Sequence, residues 1–511
     1  MTALDQARTQ RQERSAARPF RGLRLLAAAA LLAAVLSRLH TGSALWLDEA
    51  LSVHIARLPL DQLHAALRQD GAPPVYYLLL HGWMRVFGQS PSATRALSSV
   101  LSLAALPAAW ALGRRWRDAP TAWTTVLLLA SSPFAVRYAT ETRMYALVVL
   151  EVTVGGLLLL RAAERPSVGR LVPLSVVTAL LVLTHYWSLF LLACLGVGLL
   201  WRARRGRTAR RLVLALVGGG VLVVPWLPTL LFQVSHTGTP WAPAPSLVAA
   251  LDTVGSWAGD DTLAARVLAL LLFALGLLAV LGRATAEGVL LARPADRRAL
   301  LLLALSAGPL LLGLVVGLLG KAGYAPRYSA IALPAALLLV AAGLRVLPGR
   351  LQTATTAVVV VLGLVGAVRV PFEHHKTQAA VVATAIRARL APGDLVVACP
   401  DQLGVAVQDL LPAGTEQAVY PTLARPDRID WVDYAQRNQA ADPAAFVQRL
   451  LARAGTGTIW LVVQGGYRTF GSDCQAVAAG LAASHQRVEH PVTSSRRYDE
   501  KASLYRYSGR R

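Results

Sequence analysis

Long apolar blocks separated by short polar segments fill the first 370 residues of the chain. A helix needs roughly 20 apolar residues to cross the hydrocarbon core of a bilayer, and fewer where neighbouring helices shield it. The pattern therefore predicts eleven membrane spans, with ends placed to within about four residues. The predicted spans are 22–40, 93–113, 119–136, 144–161, 171–185, 187–201, 212–231, 263–282, 299–319, 328–346 and 353–370.

Two further segments with helical patterns lie between the first two spans, in the loop 41–92. In "LPLDQLHAALRQD" (58–70) leucines recur at helical spacing among polar residues, and "VYYLLLHGWMRVFG" (75–88) is mostly apolar. Pro73 and Pro74 separate the two segments, since neither proline fits a helix interior. The pattern predicts two short helices that lie in the membrane interface rather than crossing it.

The pattern changes again after residue 370. Two strand-like apolar runs, "DLVVACP" (394–400) and "TIWLVV" (458–463), alternate with segments of helical periodicity. These helical segments are 376–390, 443–454 and 474–484. Alternation of this kind predicts a small α/β domain over 371–511 with a mostly parallel sheet, attached to a membrane part over 1–370.

Charge indicates how the membrane part is oriented. The chain has 511 residues with a net charge of +23, and only 15% of its residues are charged, against about 25% in soluble domains. Arginines cluster between alternate apolar blocks, the positive-inside pattern, and form no basic stripe that would predict nucleic-acid binding. The clusters are 8–24, 114–117, 161–170, 202–211, 283–298 and 345–350. We therefore expect a multi-pass plasma-membrane protein with a cytoplasmic N-terminus and an extracytoplasmic loop 41–92 and C-terminal domain.

The first apolar run, Leu25 to Leu36, also fits a signal peptide because Arg21 and Arg24 precede it. We favour a membrane span, since many more spans follow and no clear cleavage site is present.

Cysteines are too few for a disulfide framework, but two of the three could pair. Cys399 ends the first predicted strand, and Cys474 begins the helix that follows the second. In a parallel sheet both positions lie at one edge, within reach of a bridge if the two strands are adjacent. The alternative, two buried unpaired thiols, stays open because that adjacency is an assumption.

Polar residues gather at the predicted outer ends of the spans. Asp48 and Glu49 stand in "ALWLDEALS" (44–52), where the first span has ended. The others are Asp70, the segment "RYATETRMYA" (137–146), His185 and "KAGYAPRYS" (321–329). Arg137, Glu141 and Tyr145 recur every four residues and would share a helix face. Arg143 would then point elsewhere, towards a ligand.

Each of these residues also has a plain structural interpretation. The Asp48-Glu49 pair could be a solvated helix end, and Arg137 and Glu141 a simple ion pair. His185 could cap a helix, and Arg327 and Tyr328 could anchor a span at the interface. Arginines on the outer face nevertheless oppose the positive-inside bias, and arginine binds phosphate through two parallel hydrogen bonds. A carboxylate beside such cations could act as general base while a phosphate leaves.

The motifs resemble the bacterial members of glycosyltransferase family 39, which are related to protein O-mannosyltransferases and to the aminoarabinose transferase that modifies lipid A. The resemblance rests on "WLDEALS", on Asp70 to Leu80 ("DGAPPVYYLLL") with Trp83 and Arg95, and on "ETRMYAL". It is best over residues 40–190 and extends more loosely, through "PRYSAIALP" (326–334), to about residue 346.

The resemblance implies a GT-C fold and an inverting sugar transfer, mannose by analogy, from a polyprenyl-phosphate donor to a hydroxyl group. It implies that Asp48 is the catalytic aspartate and Glu49 its acidic neighbour. Ala72 is a departure, since many members have His, Asn or Lys before the proline pair. Candidate residues for the donor phosphate and substrate are Arg327, Arg143, Tyr328, Tyr76, Tyr77, Glu141, His185 and Asp70.

Besides the lipid bilayer, the expected partners are a polyprenyl-phosphate-linked sugar and a glycan, lipid or protein acceptor, without nucleic acid. No cofactor is expected, although a divalent metal ion stays open. Two alternative functions remain. A lipid or sugar transporter would place charges at the midplane and show a repeat. A metal-dependent oligosaccharyltransferase-like enzyme would need converging carboxylates, which Asp48, Glu49, Asp70 and Glu141 could supply.

Overall fold

Helices predominate in the described residues between 27 and 373, and a mixed α/β region follows. The computed structural model describes residues 27–39, 42–239, 242, 245–259, 261–285, 288–292, 294, 296–320, 323–373 and 375–511. The first part contains α1 (Ala27–Leu39), α2 (Leu47–Arg57), α3 (Leu60–Asp70), α4 (Val75–Phe87), α5 (Pro91–Trp116), α6 (Ala119–Ala130), α7 (Pro133–Ala139), α8 (Tyr145–Glu164), α9 (Val168–Thr184), α10 (Ser188–Ala203), α11 (Arg207–Val223), α12 (Leu227–His236), α13 (Leu247–Ala258), α14 (Leu263–Leu281), α15 (Arg297–Gly320), α16 (Leu333–Leu344) and α17 (Gly349–Glu373). A hairpin of β1 (Gly282–Thr285) and β2 (Gly288–Leu291) follows α14, and a 3-10 turn, Pro326–Ile331, precedes α16.

Within the described residues, six helical segments are long and apolar enough to cross a membrane: α5, α8, α11 with α12, α14, α15 and α17. The pair α6 and α7, bent by 58°, makes a seventh candidate, and α1, α9, α10, α13 and α16 are shorter apolar helices. The predicted spans correspond to these segments, apart from α13, which the sequence pattern missed because it has only 12 residues. The multi-pass helical membrane architecture is confirmed, while the number of crossings stays a prediction.

The bend between α6 and α7 is stabilised by a buried arginine from α1. Pro133 begins α7, and the Ser132 hydroxyl caps it by accepting a hydrogen bond from a backbone N–H. The last carbonyls of α6 then lack partners within the helix. Arg38 is fully buried and donates to the carbonyls of Leu129 and Ala130 at 3.0 and 2.9 Å. The Arg38 side chain on α1 thus supplies hydrogen-bond donors to carbonyl groups that the break leaves without helical partners.

Contacts among loops bring the arginine clusters of the described residues together at one end of the bundle; the cluster 8–24 lies outside those residues. Guanidinium groups there bind backbone carbonyls and carboxylates of neighbouring loops. These contacts join Arg298 to Trp116 at 3.3 Å, Arg345 to Asp118 at 3.5 Å and Arg211 to Pro166 at 3.2 Å. The sequence prediction that these clusters share a side agrees with this geometry. Which compartment that end faces stays a prediction.

The loop after α1 differs from expectation at one point. Asp48 and Glu49 do not end a helix; they occupy the first turn of α2, a new helix that begins at Leu47. Acidic residues are favourable there because the first N–H groups of a helix give that end partial positive charge. The two short helices predicted over 58–70 and 75–88 are present as α3 and α4.

The C-terminal region has an α/β architecture. Its elements are β3 (His375–Thr377), α18 (Ala379–Arg387), β4 (Leu395–Cys399), α19 (Gln402–Gln408), β5 (Glu416–Val419), α20 (Tyr434–Gln439), α21 (Pro443–Ala454), β6 (Ile459–Val463), α22 (Asp473–Ala483), β7 (His485–Val492), β8 (Tyr498–Glu500) and β9 (Ser503–Arg510). The sheet order is β5-β4-β6-β9-β7, and β3 pairs with β8 separately.

The five-stranded sheet is only half parallel, which corrects the prediction of a mostly parallel one. Strand β4 is parallel to β5 and β6, whereas β9 is antiparallel to β6 and β7. Both β4 and β6 are buried along their whole length, which explains their continuous apolar sequences. The strands β7 and β9 are polar and partly exposed, so they gave no comparable signal.

A disulfide joins Cys399 to Cys474, with 5.5 Å between their Cα atoms. The bridge required β4 and β6 to be adjacent strands. They are adjacent, since Cys399 at the end of β4 pairs in register with Val463 at the end of β6. The bridge fixes the start of α22 beside the carboxyl end of β4, and with it the loop that leads from β6 to α22.

The α/β region packs directly on the loop helices of the membrane part. The imidazole of His54 on α2 contacts an Asp409 carboxylate oxygen at 2.9 Å. The backbone N–H of Trp431 donates to the carbonyl of Gln69 at the end of α3, at 3.2 Å. These contacts place Trp431, which is buried, over the outer ends of the helices.

Candidate active site

The neighbours Asp48 and Glu49 on α2 point into different surroundings. Successive side chains of an α-helix are turned by about 100° around its axis. Glu49 has no exposed side-chain surface, whereas 17% of the Asp48 side chain is exposed. The two carboxylates therefore have different surroundings.

Glu49 is held by a complete set of partners. Arg95 on α5 donates from Nε and Nη2 to the two Glu49 oxygens at 2.7 and 2.6 Å, and the Thr142 N–H donates at 2.9 Å. The Lys376 ammonium group lies 3.9 Å away. Burial alone would raise the pKa of Glu49, but Lys376 and Arg95 outweigh it and keep the pKa below the usual value. Glu49 is thus a buried anion with a structural role.

The segment between α7 and α8 corrects the prediction that Arg137, Glu141 and Tyr145 share one helix face. The helix stops before Glu141, because the Thr142 N–H is directed to Glu49 instead of continuing the helical ladder. Arg137 and Glu141 still form the ion pair that was considered, at 3.6 Å. Lys376 lies 3.5 Å from Glu141 as well. Glu141 therefore belongs to the same buried network as Glu49.

Asp48 has a different kind of environment. Its Oδ2 atom is buried and has no hydrogen-bond partner among the described residues. Two guanidinium groups lie just beyond hydrogen-bonding distance of this oxygen, Arg327 at 3.7 Å and Arg143 at 4.0 Å. Arg143 is oriented by hydrogen bonds to the Asp48 carbonyl at 3.2 Å and the Ser52 hydroxyl at 3.0 Å. The carboxylate oxygen can accept a proton from a ligand placed beside it.

A cavity of about 340 Å³, here called the bundle cavity, opens beside Asp48 among the outer ends of the helices. Most of the residues predicted to bind substrate line it. These are Asp48, Asp70, Arg143, His185, Arg327 and Tyr328. Glu49, Tyr76, Tyr77 and Glu141 do not contribute to its lining.

Tyr76 and Tyr77 are fully buried behind this cavity. The Tyr77 hydroxyl donates to Asp70 at 3.1 Å, and the Tyr76 hydroxyl lies 3.2 Å from that of Ser98. Burial raises the pKa of Asp70 to about 6. Tyr77 therefore positions Asp70, and Tyr76 joins the start of α4 to α5, while neither lines the cavity.

Ala72, where the sequence departs from the family pattern, is contacted by a side-chain amide from α12. Gln233 lines the bundle cavity, and its Nε2 donates to the carbonyls of Leu67 and Ala72 at 2.8 and 3.2 Å. Sequence reasoning did not select Gln233, because a lone glutamine in an apolar helix gives no motif.

Aromatic rings form one wall of the bundle cavity. The ring of Tyr328 lies 5.2 Å from that of His185 and 5.1 Å from that of Trp187. Burial, with Arg143 and Arg327 nearby, lowers the pKa of His185 to about 3, so its imidazole is neutral. Burial also raises the pKa of the Tyr328 hydroxyl to about 12. The wall is therefore uncharged beside the two arginines.

A second cavity of about 410 Å³, here called the domain cavity, lies on the other side of Asp48. Asp48, Arg327 and Trp431 line both cavities. The remaining lining comes from Trp46, Leu47, Gln402 and the segments 464–469 and 499–501. No sequence pattern indicated this cavity, since its lining is brought together from residues over 400 positions apart.

No group of three or more His, Cys, Asp or Glu residues suitable for a metal ion occurs within the described ranges. Glu49 and Glu141, two of the carboxylates considered for such a site, are paired with Arg95, Arg137 and Lys376. Chemically, the site offers one accessible carboxylate and two guanidinium groups where two cavities meet.

Comparisons with known proteins concern the fold that carries this site. A family model described as dolichyl-phosphate-mannose-protein mannosyltransferase matches residues 71–232. No curated protein matches the chain. Apo ArnT from Cupriavidus metallidurans is similar in structure, with a TM-score of 0.62 at 14% identity, over 96% of this chain and 98% of ArnT.

Two further solved structures have the same fold. ArnT bound to undecaprenyl phosphate gives a TM-score of 0.57 at 13% identity, over 94% of this chain and 97% of that one. The arabinofuranosyltransferase AftD from Mycobacteria gives 0.52 at 15% identity, over 96% of this chain but 40% of AftD. The predicted GT-C fold, and the resemblance drawn from the sequence motifs, are confirmed.

Proposed function

We propose that this chain, a multi-pass membrane protein with the GT-C glycosyltransferase fold, transfers a sugar from a polyprenyl-phosphate donor to an acceptor hydroxyl group with Asp48 as general base. One observation carries the proposal. Asp48 Oδ2 is buried without a hydrogen-bond partner in the described part of the chain, at the junction of two cavities and beside Arg143 and Arg327.

The reaction follows from these positions. The acceptor hydroxyl gives its proton to Asp48 while its oxygen forms a bond to the anomeric carbon of the sugar. The bond from that carbon to the phosphate oxygen breaks, and the phosphate leaves with its electron pair. Attack opposite the leaving group inverts the anomeric configuration. Arg143 and Arg327 stabilise the negative charge that develops on the phosphate.

The bundle cavity is the proposed donor site. Its two guanidinium groups suit a phosphate, and Tyr328 and His185 provide neutral surfaces for the sugar. A separate apolar cavity of about 270 Å³ offers a place for part of the carrier chain. Trp257 lines this cavity and donates at 2.8 Å to Ser329, the residue after Tyr328. The ligand of the ArnT complex, undecaprenyl phosphate, supports this class of carrier. Mannose is the sugar that the family description suggests.

The arginine-rich end of the bundle is proposed to face the cytoplasm. Arg95, Arg143, His185 and Arg327 lie at helix termini opposite to the arginine clusters, so the site and the α/β region would face outwards. The disulfide between Cys399 and Cys474 is consistent with this side, where disulfides persist.

The test is an assay of the full chain in lipid nanodiscs with a panel of polyprenyl-phosphate sugars, measuring release of the polyprenyl phosphate. We expect release with at least one donor, and none from protein carrying Asp48→Asn. Absence of release for every donor, in the presence of acceptor mixtures from cell envelopes, would exclude the proposed activity.

A further inference from the structure

We propose that the domain cavity binds the acceptor and that this acceptor is a neutral glycan, one hydroxyl of which reaches Asp48 from the side opposite to the donor. This inference rests on the proposed function and specifies the substrate class for the same site. It assigns to the α/β region a role that the family resemblance, which ends near residue 346, does not supply.

The position of the cavity in the sheet supports ligand binding. Gln402 follows the end of β4, and the segment 464–469 directly follows β6. In sheets with parallel strands, ligands bind outside the carboxyl ends of the strands, where the connecting loops separate. The Cys399–Cys474 disulfide fixes the loop after β6 at this edge. The edge is therefore both suitably placed and restrained.

The domain cavity also adjoins the bundle cavity at shared residues. Because Asp48 and Arg327 line both cavities, a ligand in the domain cavity and a donor in the bundle cavity would meet at Asp48. An acceptor there approaches the carboxylate without crossing the donor site. Its volume of about 410 Å³ lies within the range of about 300–1,000 Å³ that is usual for small-ligand sites.

The lining combines aromatic surfaces with unused hydrogen-bonding groups. The indole Nε1 of Trp46 is buried and has no hydrogen-bond partner within the described residues. A buried donor without a partner costs stability unless a ligand or water accepts its hydrogen bond. The side chain of Gln464 makes one hydrogen bond within the same residues, to the carbonyl of its neighbour Gly465. Trp431 and Tyr467 contribute ring surfaces.

A sugar ring matches this combination. Its C–H groups pack against aromatic rings, and its hydroxyls both donate and accept hydrogen bonds with amide and indole groups. A lipid tail would leave the Trp46 N–H and the Gln464 amide without partners. The class of ligand that uses both kinds of surface is a glycan.

Charge favours a neutral glycan over an acidic one. Arg327 faces Asp48 at 3.7 Å, and Asp499 pairs with Arg137 at 3.2 Å, so most charges at the cavity are already balanced. Arg468 and Lys501 add two further cationic side chains to the lining, and Glu500 adds a buried carboxyl group. A strongly anionic ligand would meet the carboxyl groups of Asp48, Asp499 and Glu500 as well as these two cations.

The test measures transfer by the full chain in nanodiscs, with the donor identified in the panel assay. The acceptor probes are neutral oligosaccharides (manno-, gluco- and arabino-oligosaccharides), a serine- and threonine-containing peptide, and a lipid with a hydroxylated headgroup. Two variants remove single hydrogen-bonding groups from the domain cavity, Trp46→Phe and Gln464→Ala. The matched control is Gln439→Ala, an exposed glutamine on α20.

We expect an oligosaccharide to accept the sugar and each cavity variant to raise the acceptor KM about tenfold, the factor for one lost hydrogen bond. The donor KM should change less than twofold, and Gln439→Ala should leave both constants unchanged. If either residue had only a structural role, its substitution would instead lower the amount of active enzyme. The acceptor KM would then not rise relative to the donor KM.

Transfer to the peptide or the lipid, or to none of the probes while the donor is still hydrolysed, overturns the glycan assignment and leaves the proposed function intact. Unchanged acceptor KM values in both cavity variants overturn the assignment of the cavity. Absence of both transfer and donor hydrolysis is the separate result that rejects the proposed function itself.

Discussion

The surroundings of Asp48 and Glu49 show how two adjacent carboxylates acquire different roles. Glu49 is fully buried and receives hydrogen bonds of 2.6 to 2.9 Å from Arg95 and Thr142. Asp48 keeps some exposure, and its nearest cations lie at 3.7 and 4.0 Å. A carboxylate whose oxygens are all engaged stabilises the fold, whereas one with an unengaged oxygen can take a proton.

The difference arises from the start of α2. Since neighbouring positions on a helix diverge by about 100°, one carboxylate faces α5 while the next faces the cavities. The two carboxylates are adjacent in the sequence. Their surroundings differ only because α5 and the 140–144 segment pack against Glu49. The following substitutions test this difference between the two carboxylates and the site around them.

The largest effect is expected for Asp48→Asn. The amide cannot accept the acceptor proton, so the transfer rate should fall about 10²- to 10⁴-fold, the contribution usual for general bases. The midpoint of thermal unfolding should fall less than for Glu49→Gln, because no hydrogen bond to Oδ2 is lost and the two guanidinium groups lie 3.7 and 4.0 Å from it. Single-turnover kinetics and unfolding scans measure the two quantities. Near-normal turnover would show that another group is the base.

Glu49→Gln should act mainly on stability. The change leaves Arg95 without its buried counter-charge, while Lys376 keeps Glu141 at 3.5 Å, and breaking a buried ion pair costs about 3–5 kcal/mol. The free energy of unfolding, measured with denaturant in detergent, should drop by this amount. The double variant Glu49→Gln with Arg95→Met should recover part of the loss, because it removes the uncompensated charge. A stable but inactive single variant would instead place Glu49 in the chemistry.

Arg327→Ala should mainly weaken donor binding. A lost charge-assisted hydrogen bond of about 1.5–3 kcal/mol corresponds to a rise of roughly 10- to 100-fold in the donor KM. Arg143→Ala should show a smaller rise together with a loss of rate, because Arg143 also orients the Asp48 backbone. Arg266→Ala, at an exposed position, is the control. A fall in expression alone, with the donor KM unchanged, would mean that Arg327 is only an anchor.

The smallest effect concerns Asp70, a carboxyl at the wall of the bundle cavity. Burial raises its pKa to about 6, against Arg143, Tyr77 and Arg428, which lower it, while Asp48 raises it further. Asp70 therefore gains a negative charge as the pH rises from 5 to 7, close to the proposed phosphate site. Donor affinity should fall roughly three- to tenfold over this range, because the Asp70 carboxylate repels the donor phosphate across a medium of intermediate dielectric constant.

Donor titrations at several pH values measure this dependence. Asp70→Asn should flatten it, since the amide does not titrate. The same slope in the variant and in the unchanged protein would assign the pH dependence to a different group.

Local pattern was sufficient to predict the long apolar helices, α3 and α4, and the two buried strands β4 and β6. It failed where a distant partner decides the conformation. The spacing of Arg137, Glu141 and Tyr145 predicts one helix face, yet Thr142 directs its N–H to Glu49 and ends the helix. Periodicity within a segment carries no information about such a contact.

The residues of the site also fall into those that could be predicted from the sequence and those that could not. Asp48, Arg143 and Arg327 could be predicted because motifs and arginines opposed to the positive-inside bias single them out. Trp46, Gln233 and Trp431 could not, because each is an ordinary residue of an apolar or polar segment until the fold brings it to the cavity. The composition contained one unused signal: of only three lysines, Lys376 lies in the Glu49 network and Lys501 lines the domain cavity.

Lys376 has a consequence for the biogenesis of the protein. It follows α17, the last helix of the membrane part, and yet its ammonium group lies between Glu49 and Glu141 and donates to the Thr140 carbonyl at 2.8 Å. The ribosome therefore releases the two acidic partners long before the lysine that balances them. Until the last helix has been inserted, Glu49 and Glu141 are paired only with Arg95 and Arg137, and the lysine that joins the two pairs is missing. Chains that terminate early would be left with this defect, so that completion of synthesis is itself the step that assembles the centre.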